Sequence, residues 1–276
     1  MKKIGVFAMV LLAQITFAQA NRFVYQVTMK PNADDKNDIK TENAYLDISA
    51  DKSMFYSENR IKRDSVMRAN FQSGGARGFN RDQMESLRSI INYSIEKNKK
   101  DQKTTYKDRI GRDIYTYEED RPLNWKILSE TTKIGDYKVQ KAETDFGGRK
   151  WTAWFTTDLP YQDGPYKFSG LPGLVVKAED STGDYSFDLM KNYKIADFPD
   201  MNTFGNVMKV KRTDYVKQQE KYKSDPTAFM NSQRGSRGVA MGGPRGGNQN
   251  PAEMRKRMEE RVKEEAKNNS NPIELK

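Results

Sequence analysis

The chain has 276 residues, of which 48 are Lys or Arg and 38 are Asp or Glu, so its formal net charge is +10. It contains neither histidine nor cysteine, which excludes Ser–His triads, histidine-ligated zinc, disulfides and thiol catalysis. The excess of positive charge favours anionic partners such as lipopolysaccharide or acidic glycans.

Residues 1–20 have the pattern of a secretory signal. Two lysines precede a mostly apolar run over 4–17, and a small-x-small cleavage site follows at 18–20. The apolar run is shorter than the roughly 20 residues that span a bilayer. We therefore predict an exported protein that does not span the membrane and lies in the periplasm, at the outer membrane or outside the cell. Export makes nucleic acid an unsuitable partner.

Three short strands are predicted after the signal, over 22–30, 44–49 and 53–58, because apolar and polar side chains alternate there. The polar stretch that follows has no clear periodicity and is left unassigned. A short helix is predicted over 82–90 and a strand over 91–95, with a single helix that continues through Lys97 as the alternative.

Alternation continues over 104–146 and ends at a Gly-Gly pair, 147–148, which is typical of a tight hairpin turn. The next strand, 150–157, places Trp151 on one face and Trp154 on the other. Both faces of this strand are therefore expected to be at least partly covered.

The segment 158–173 breaks the alternation with three prolines and three glycines, so it is predicted to be a structured loop. Within it, Leu171-Pro172-Gly173 fits a type II turn in which Gly173 supplies a positive φ. Strands resume over 174–176 and 184–190. Regularly spaced strands with short turns are typical of an antiparallel meander. We predict a mainly β fold, a curved sheet or open barrel, with few short helices and a C-terminal helical tail.

One β-rich domain is expected over 21–230. It includes a helix over 214–223 for which Thr213 is the predicted N-cap. Residues 231–250 are rich in glycine and arginine and almost without apolar side chains, so a disordered linker is predicted there.

The last part of the chain, 251–276, is predicted to be a charged helix and tail, with Pro251 at the first helical position. Its apolar stripe of Met254, Met258 and Val262 is narrower than the stripe of a core-facing helix. We therefore expect a solvated helix.

Two stretches resemble a known family. Residues 170–175 read GLPGLV, and the chain closes on NPIEL at 271–275. Both are similar to the GLPGLI family of exported Bacteroidetes proteins, with Val175 in the place of isoleucine. The resemblance implies an exported protein without an established activity and without catalytic residues that could be carried over. By association, it implies a setting near outer-membrane transport.

The apolar loop is the candidate site, because a loop with this much apolar surface either packs onto a core or binds something. Its aromatic side chains could close one end of the β core or form a ligand or partner surface. The residues of this candidate surface are Trp154, Tyr161, Tyr166, Phe168, Leu171 and Pro172. Arg149 is the candidate anion contact, with an ordinary surface charge as the alternative.

We expect a non-enzymatic protein that binds a small or peptide-like ligand, or that assists an outer-membrane transporter or another envelope component. No cofactor and no metal are expected. One alternative is a hydrolase of envelope glycans or peptides that uses two carboxylates. Its candidates are Asp158, Asp163, Glu179 and Asp180. A purely structural envelope protein is the other alternative.

Overall fold

The computed structural model describes residues 20–72, 81–201, 206–235 and 251–276. These residues form a twelve-stranded sheet with helices packed against it. The predicted signal lies outside the described residues apart from Ala20, and residues 236–250 of the predicted linker lie outside them as well.

The sheet is built mainly from antiparallel strands. Their order across it is β12-β6-β5-β4-β3-β2-β1-β11-β10-β9-β8-β7, and only β12 pairs in parallel, with β6. The sheet is open, with β12 and β7 at its edges, and the predicted mainly β fold is confirmed. The strands are β1 Ala20–Met29, β2 Lys40–Ile48, β3 Lys52–Ser57, β4 Ser94–Asn98, β5 Lys103–Ile110, β6 Asp113–Glu118, β7 Lys126–Ile134, β8 Tyr137–Phe146, β9 Arg149–Thr156, β10 Leu174–Asp180, β11 Tyr185–Ile195 and β12 Val207–Lys209.

The helices are α1 Glu58–Gln72, α2 Arg81–Ser86, α3 Arg212–Ser224, α4 Pro226–Gly235 and α5 Pro251–Asn268. Helix α1 occupies the polar stretch that the sequence left unassigned, and it packs on β2 and β3. The predicted N-cap of α3 is wrong, because the helix begins after Lys211 and that residue makes no side-chain cap. None of the described helices is both long enough and apolar enough to cross a bilayer.

Alternation along β9 decides which of its side chains enter the core. Trp151, Ala153 and Phe155 are buried, whereas Thr152 and Trp154 on the opposite face are only partly buried. The predicted facing of this strand is confirmed. The Gly-Gly pair before it forms the predicted hairpin, with positive φ at both glycines.

The main core gathers side chains from strands that are not neighbours in the sheet. Phe55 of β3 meets Phe187 of β11 edge to face, with ring centroids 6.1 Å apart, and Trp151 of β9 also contacts Phe187. Because these strands lie apart in the sheet order, the sheet must curve to bring them together. A second cluster on the other face is formed by Val24, Tyr45 and Tyr56 beneath α1.

Helix α5 is not fully solvated. Its Val262 is only 3% exposed, and the helix packs against α3 and α4. The predicted solvated helix is therefore wrong at this residue, since α3 and α4 supply an apolar surface that the sequence pattern of α5 alone does not reveal.

Candidate functional site

The turn at the end of the loop 158–173 differs from the predicted type II turn. The N–H of Gly173 donates to the carbonyl of Leu171 at 2.8 Å, which closes a γ-turn around Pro172. Gly173 does not have a positive φ. A Cβ at this position would lie 2.0 Å from the carbonyl oxygen of Thr156, so glycine is required there by a close backbone approach.

Half of the predicted surface residues of this loop lie inside the protein. Tyr166, Phe168 and Leu171 are each 1% exposed or less. The ring of Phe168 meets Trp151 edge to face, with centroids 4.8 Å apart. For these three residues the loop closes one end of the core, as the first alternative predicted. As the protein stands, they present no surface to a partner.

The other three predicted surface residues remain accessible. Trp154 and Tyr161 are partly buried, and Pro172 is exposed. Tyr161 packs edge to face against Phe23, with centroids 5.3 Å apart, and Lys141 lies 5.9 Å from the ring of Trp154. A ligand-binding role of these three residues stays a prediction.

A buried lysine fastens the loop to strand β4. Lys97 Nζ donates to Asp163 Oδ1 at 2.7 Å and to the carbonyls of Gly164 and Phe168 at 2.7 and 2.9 Å. Burial lowers the pKa of Lys97, and the charge of Asp163 opposes that shift. The ion pair and the two carbonyls together satisfy all three donors of the ammonium group.

A second buried lysine lies at the centre of the loop. Lys167 Nζ donates to Tyr117 Oη at 2.9 Å and to carboxylate oxygens of Glu119 and Glu274 at 2.5 Å each. Aromatic rings surround this ammonium group at 5.0–5.7 Å, namely those of Tyr106, Tyr117, Phe146 and Tyr166. Cation–π attraction adds to the ion pairs there.

Arg121 completes this charge cluster. Its guanidinium donates to both oxygens of Glu119, at 2.7 and 2.8 Å, and to Glu274 Oε2 at 2.7 Å. Burial alone would raise the pKa of Glu119, but hydrogen bonds and charge from Arg121 and Lys167 lower it to about 2. Two cations and two carboxylates therefore balance one another.

Arg149, the predicted anion contact, is buried and binds anions of its own chain. Its Nη1 donates to Asp180 Oδ2 at 2.8 Å, and its Nη2 donates to Asn271 Oδ1 at 2.5 Å and to the carbonyl of Pro272 at 2.8 Å. Its side chain is only 3% exposed. Arg149 thus binds a carboxylate, but not one that arrives from solvent.

The C-terminal segment 271–276 is a part of the site that the sequence did not place. The amide of Asn271 donates to the carbonyl of Lys30 and to Asp184 Oδ2, at 2.8 and 2.9 Å. Further along, the N–H of Leu275 donates to the carbonyl of Gly147 at 2.6 Å. The only sequence signal for this segment was its similarity to a family ending, which gave no location.

Beside the loop lies an open cleft of about 630 Å³. Its lining mixes polar and apolar groups, with more cations than acids, and comes from β4, the turn into β5, the segment after β6, Phe146 of β8 and the loop itself. The charged residues along it are Lys97, Lys99, Lys103, Arg121, Lys167, Glu119 and Asp163. Partly exposed aromatic and amide side chains, Tyr161 and Gln162 among them, line its edge. The cleft can therefore offer both charge and hydrogen bonds to a ligand.

The four candidate carboxylates occupy different surroundings. Asp163 is paired with Lys97, and Asp180 is paired with Arg149. Glu179 pairs with Lys177 while remaining 42% exposed, and Asp158 is exposed. The two buried acids are held by separate buried cations, so they serve as structural ion pairs.

Comparison with known proteins gives one family and one fold. A family described as "Protein of unknown function (Porph_ging)" matches residues 147–177, which run from the β8–β9 turn into β10. This short match is consistent with an uncharacterised family, and the GLPGLI resemblance stays a prediction. The comparison with curated proteins gives no match.

Two solved structures of PNGF-II, in space groups P21 and C2, are similar in fold. The TM-scores are 0.54 and 0.53 at 20% sequence identity, over 75% of this chain and 34% of the PNGF-II chain. The chain thus spans about a third of the length of PNGF-II. At this identity the likeness is one of fold alone.

Proposed function

We propose that the protein is exported to the cell envelope and acts there as a binding or accessory protein, with the charged cleft as its ligand site. Export is supported by the signal pattern over 1–20, and a non-enzymatic role by the lack of histidine and cysteine. The observation that carries the proposal is the excess of cationic over acidic side chains along the cleft.

The ligand class that fits this cleft is an acidic glycan. Lys99 and Lys103 lie at its outer rim, where Lys99 donates to the carbonyl of Ser49 at 2.6 Å and the half-exposed Lys103 pairs with Glu118 at 2.9 Å. A carboxylate or phosphate group of a ligand would bind in exchange for these exposed contacts. Gln162 and Thr104 offer hydrogen bonds to hydroxyl groups, and the ring of Tyr161 offers an apolar face. A few placed polar groups around an aromatic side chain are usual for a small-ligand site.

Binding of two defined probes to the chain without residues 1–20 tests the proposal. Trigalacturonate carries carboxylates, and a glucosamine disaccharide with two phosphates carries phosphates, so the pair distinguishes the two sources of anionic charge. We expect the Lys99→Gln/Lys103→Gln variant to bind the preferred probe at least tenfold more weakly. We also expect added salt to weaken binding by the unsubstituted chain.

A matched control is the Lys133→Gln/Lys138→Gln variant. These two exposed lysines lie on the β7–β8 hairpin, and neither lines the cleft. The control has the same net charge as the cleft variant, so it should bind like the unsubstituted chain. Equal weakening by both variants would assign binding to overall charge and would overturn the cleft as the site.

The proposed accessory role beside an outer-membrane transporter is supported by the GLPGLI resemblance alone. The accessible residues Trp154 and Tyr161 are the ones to test, since the buried loop residues also hold the core. Capture from envelope extract should be lost in the Trp154→Ala/Tyr161→Ala variant at unchanged thermal stability. Equal capture by both chains would remove these residues from the partner surface.

A purely structural envelope role is the second candidate. It is favoured by the burial of Tyr166, Phe168 and Leu171, which makes the loop a part of the core. Under this alternative neither probe binds, and loop variants lose stability without losing any interaction.

A further inference from the structure

Arg121 and Lys167 each line the cleft and also bind the C-terminal segment. Both hold the carboxylate of Glu274, at 2.7 Å from Arg121 Nη2 and 2.5 Å from Lys167 Nζ. Tyr166 Oη donates to the same carboxylate. The cations at the edge of the cleft are thus bound to an acid group that the C-terminal segment supplies.

Withdrawal of Glu274 would leave an unbalanced charge. Glu119 would then face Arg121 and Lys167 alone, one carboxylate against two cations. With Glu274 in place, Lys167 is 1% exposed and enclosed by aromatic rings, so without that carboxylate its ammonium group would be left partly desolvated and short of one anionic partner. The cluster is therefore built to hold one further negative group, whichever molecule provides it.

We propose that Glu274 fills the acid-binding subsite of the cleft, and that the anionic group of a ligand takes its place and releases residues 274–276. The inference rests on the proposed function. The ligand class is a saccharide with a carboxylate or phosphate, because the subsite offers a guanidinium, an ammonium and a phenol to one anionic group. Arg121, Lys167 and Tyr166 become specificity-determining residues.

The bonds along the segment favour partial release. Asn271 is buried and held by Arg149 and Asp184, so it stays in place. Beyond it, the N–H groups of Leu275 and Lys276 share a single acceptor, the carbonyl of Gly147, and Arg121 Nη1 donates to the carbonyl of Lys276 at 2.9 Å. Leu275 is 52% exposed. The end of the segment can therefore leave while its beginning remains anchored.

If Glu274 and the ligand compete for the same cations, the direction in which Glu274 changes ligand affinity can be predicted. A ligand that displaces Glu274 must overcome the bonds that Glu274 makes, so removing the charge of Glu274 strengthens ligand binding. By linkage, a ligand that binds in this way weakens the attachment of the segment by the same factor.

The experiment uses trigalacturonate and the diphosphorylated glucosamine disaccharide on the chain without residues 1–20. Glu274→Gln should bind the preferred probe about tenfold more tightly than the unsubstituted chain. Since the chain has no cysteine, a fluorophore on Lys276→Cys reports on the segment without disturbing Glu274. Its anisotropy should fall as the probe is added, with the midpoint of the binding curve. The anisotropy still tests the inference if Glu274→Gln folds poorly.

The outcomes separate the two proposals. Equal affinity of the unsubstituted chain and Glu274→Gln, with constant anisotropy at saturation, would overturn the inference. The proposed function would survive that result if Lys99→Gln/Lys103→Gln still weakened binding. Absence of binding to both probes, by the unsubstituted chain and by Glu274→Gln alike, would overturn both.

Discussion

Lys97 and Asp163, 66 residues apart in the sequence, form a buried ion pair with Nζ and Oδ1 2.7 Å apart. Lys97 lies in strand β4 and Asp163 in the loop 158–173, so the pair joins two parts of the chain that no strand pairing connects. The carbonyls of Gly164 and Phe168 complete the coordination of the ammonium. The loop is thereby held as a fixed part of the core.

Removal of one partner of this pair should destabilise the protein strongly. Lys97→Met leaves Asp163 buried without its cation, and Asp163→Asn leaves Lys97 without its anion, at an expected cost of about 3–5 kcal/mol each. Urea unfolding of both single variants and the double variant gives the coupling energy. If the single losses simply add in the double variant, the pair does not interact.

Phe168→Ala should lower the free energy of unfolding by about 3–5 kcal/mol, as is usual for a fully buried phenylalanine. Its ring contacts Trp151 and Tyr166, with centroids 4.8 and 5.8 Å away, so a cavity would remain. Pro172→Ala on the exposed side of the same loop is the control and should change stability little. Chemical denaturation measures the free energy of unfolding of both variants. An equally small decrease in the two would contradict the buried position of Phe168.

Two glycines of the loop should respond to alanine differently. At Gly173 a Cβ would lie 2.0 Å from the carbonyl of Thr156, whereas at Gly170 nothing lies within 4 Å. Gly170 has a φ of +89°, so Gly170→Ala should cost about 1–2 kcal/mol from backbone strain alone. Gly173→Ala should cost more or prevent folding. Thermal unfolding shows which of the two variants is less stable. A smaller loss of stability in Gly173→Ala would contradict the close approach of Gly173 to the carbonyl of Thr156.

Acid should weaken two groups of charges in a defined pH range, one around Glu119 and one around Asp184. The pKa values of Glu119 and Asp184 are lowered to about 2, because burial, which would raise them, is outweighed by hydrogen bonds and charge from their partners. Groups with lowered pKa values stabilise the fold above their unfolded values, 4.5 and 3.8. That stabilisation is lost as the pH falls towards about 2.

Glu119→Gln tests this pH dependence. The variant should be less stable at pH 7 than the unsubstituted chain, and the difference should shrink as the pH falls from about 4.5 to about 2. Denaturant midpoints measured along this range give the comparison. A difference in stability that stays constant with pH would show that Glu119 stabilises the fold through packing and not through its charge.

Arg149→Lys should lower stability by about 2 kcal/mol, the scale of a lost hydrogen bond to a charged group, although the charge is kept. The guanidinium reaches Asp180, Asn271 and the carbonyl of Pro272 from three directions, which an ammonium group cannot reproduce. Lys150→Arg at the exposed neighbouring position is the control. Unfolding measurements compare the two, and protease should cut the C-terminal segment faster only in Arg149→Lys.

Much of the fold follows from local patterns in the sequence. Alternation placed most of the strands and the facing of Trp151, and the Gly-Gly pair placed the β8–β9 turn, whereas the strand predicted over 91–95 lies at Ser94–Asn98. The burial of Val262 did not follow, because it depends on apolar surfaces of α3 and α4 that come from elsewhere in the chain. Helix α1 was missed since it is polar and lacks a strong apolar stripe.

The site was less predictable because long-range charge pairs build it. Arg149 was singled out as a contact for anions, yet its partners lie 31 and 122 residues away, and spacing carries no record of them. Likewise nothing in the sequence next to Lys97 indicates a buried partner. Only the path of the loop brings Asp163 and two carbonyls to its ammonium group.

Asn271 joins the C-terminal segment to the residue that follows strand β1. Its amide meets the carbonyl of Lys30, 241 residues earlier, at the end of a strand that lies between β2 and β11. Until residue 271 is present that junction cannot close, and Arg149 has its partner Asp180 but lacks its contacts with Asn271 and Pro272. Because synthesis runs from the N-terminus, the contacts of Asn271 with Lys30 and Arg149 can form only after the strands β1 to β12 have been made. The order of the sequence thus delays these stabilising contacts until the whole sheet has been made.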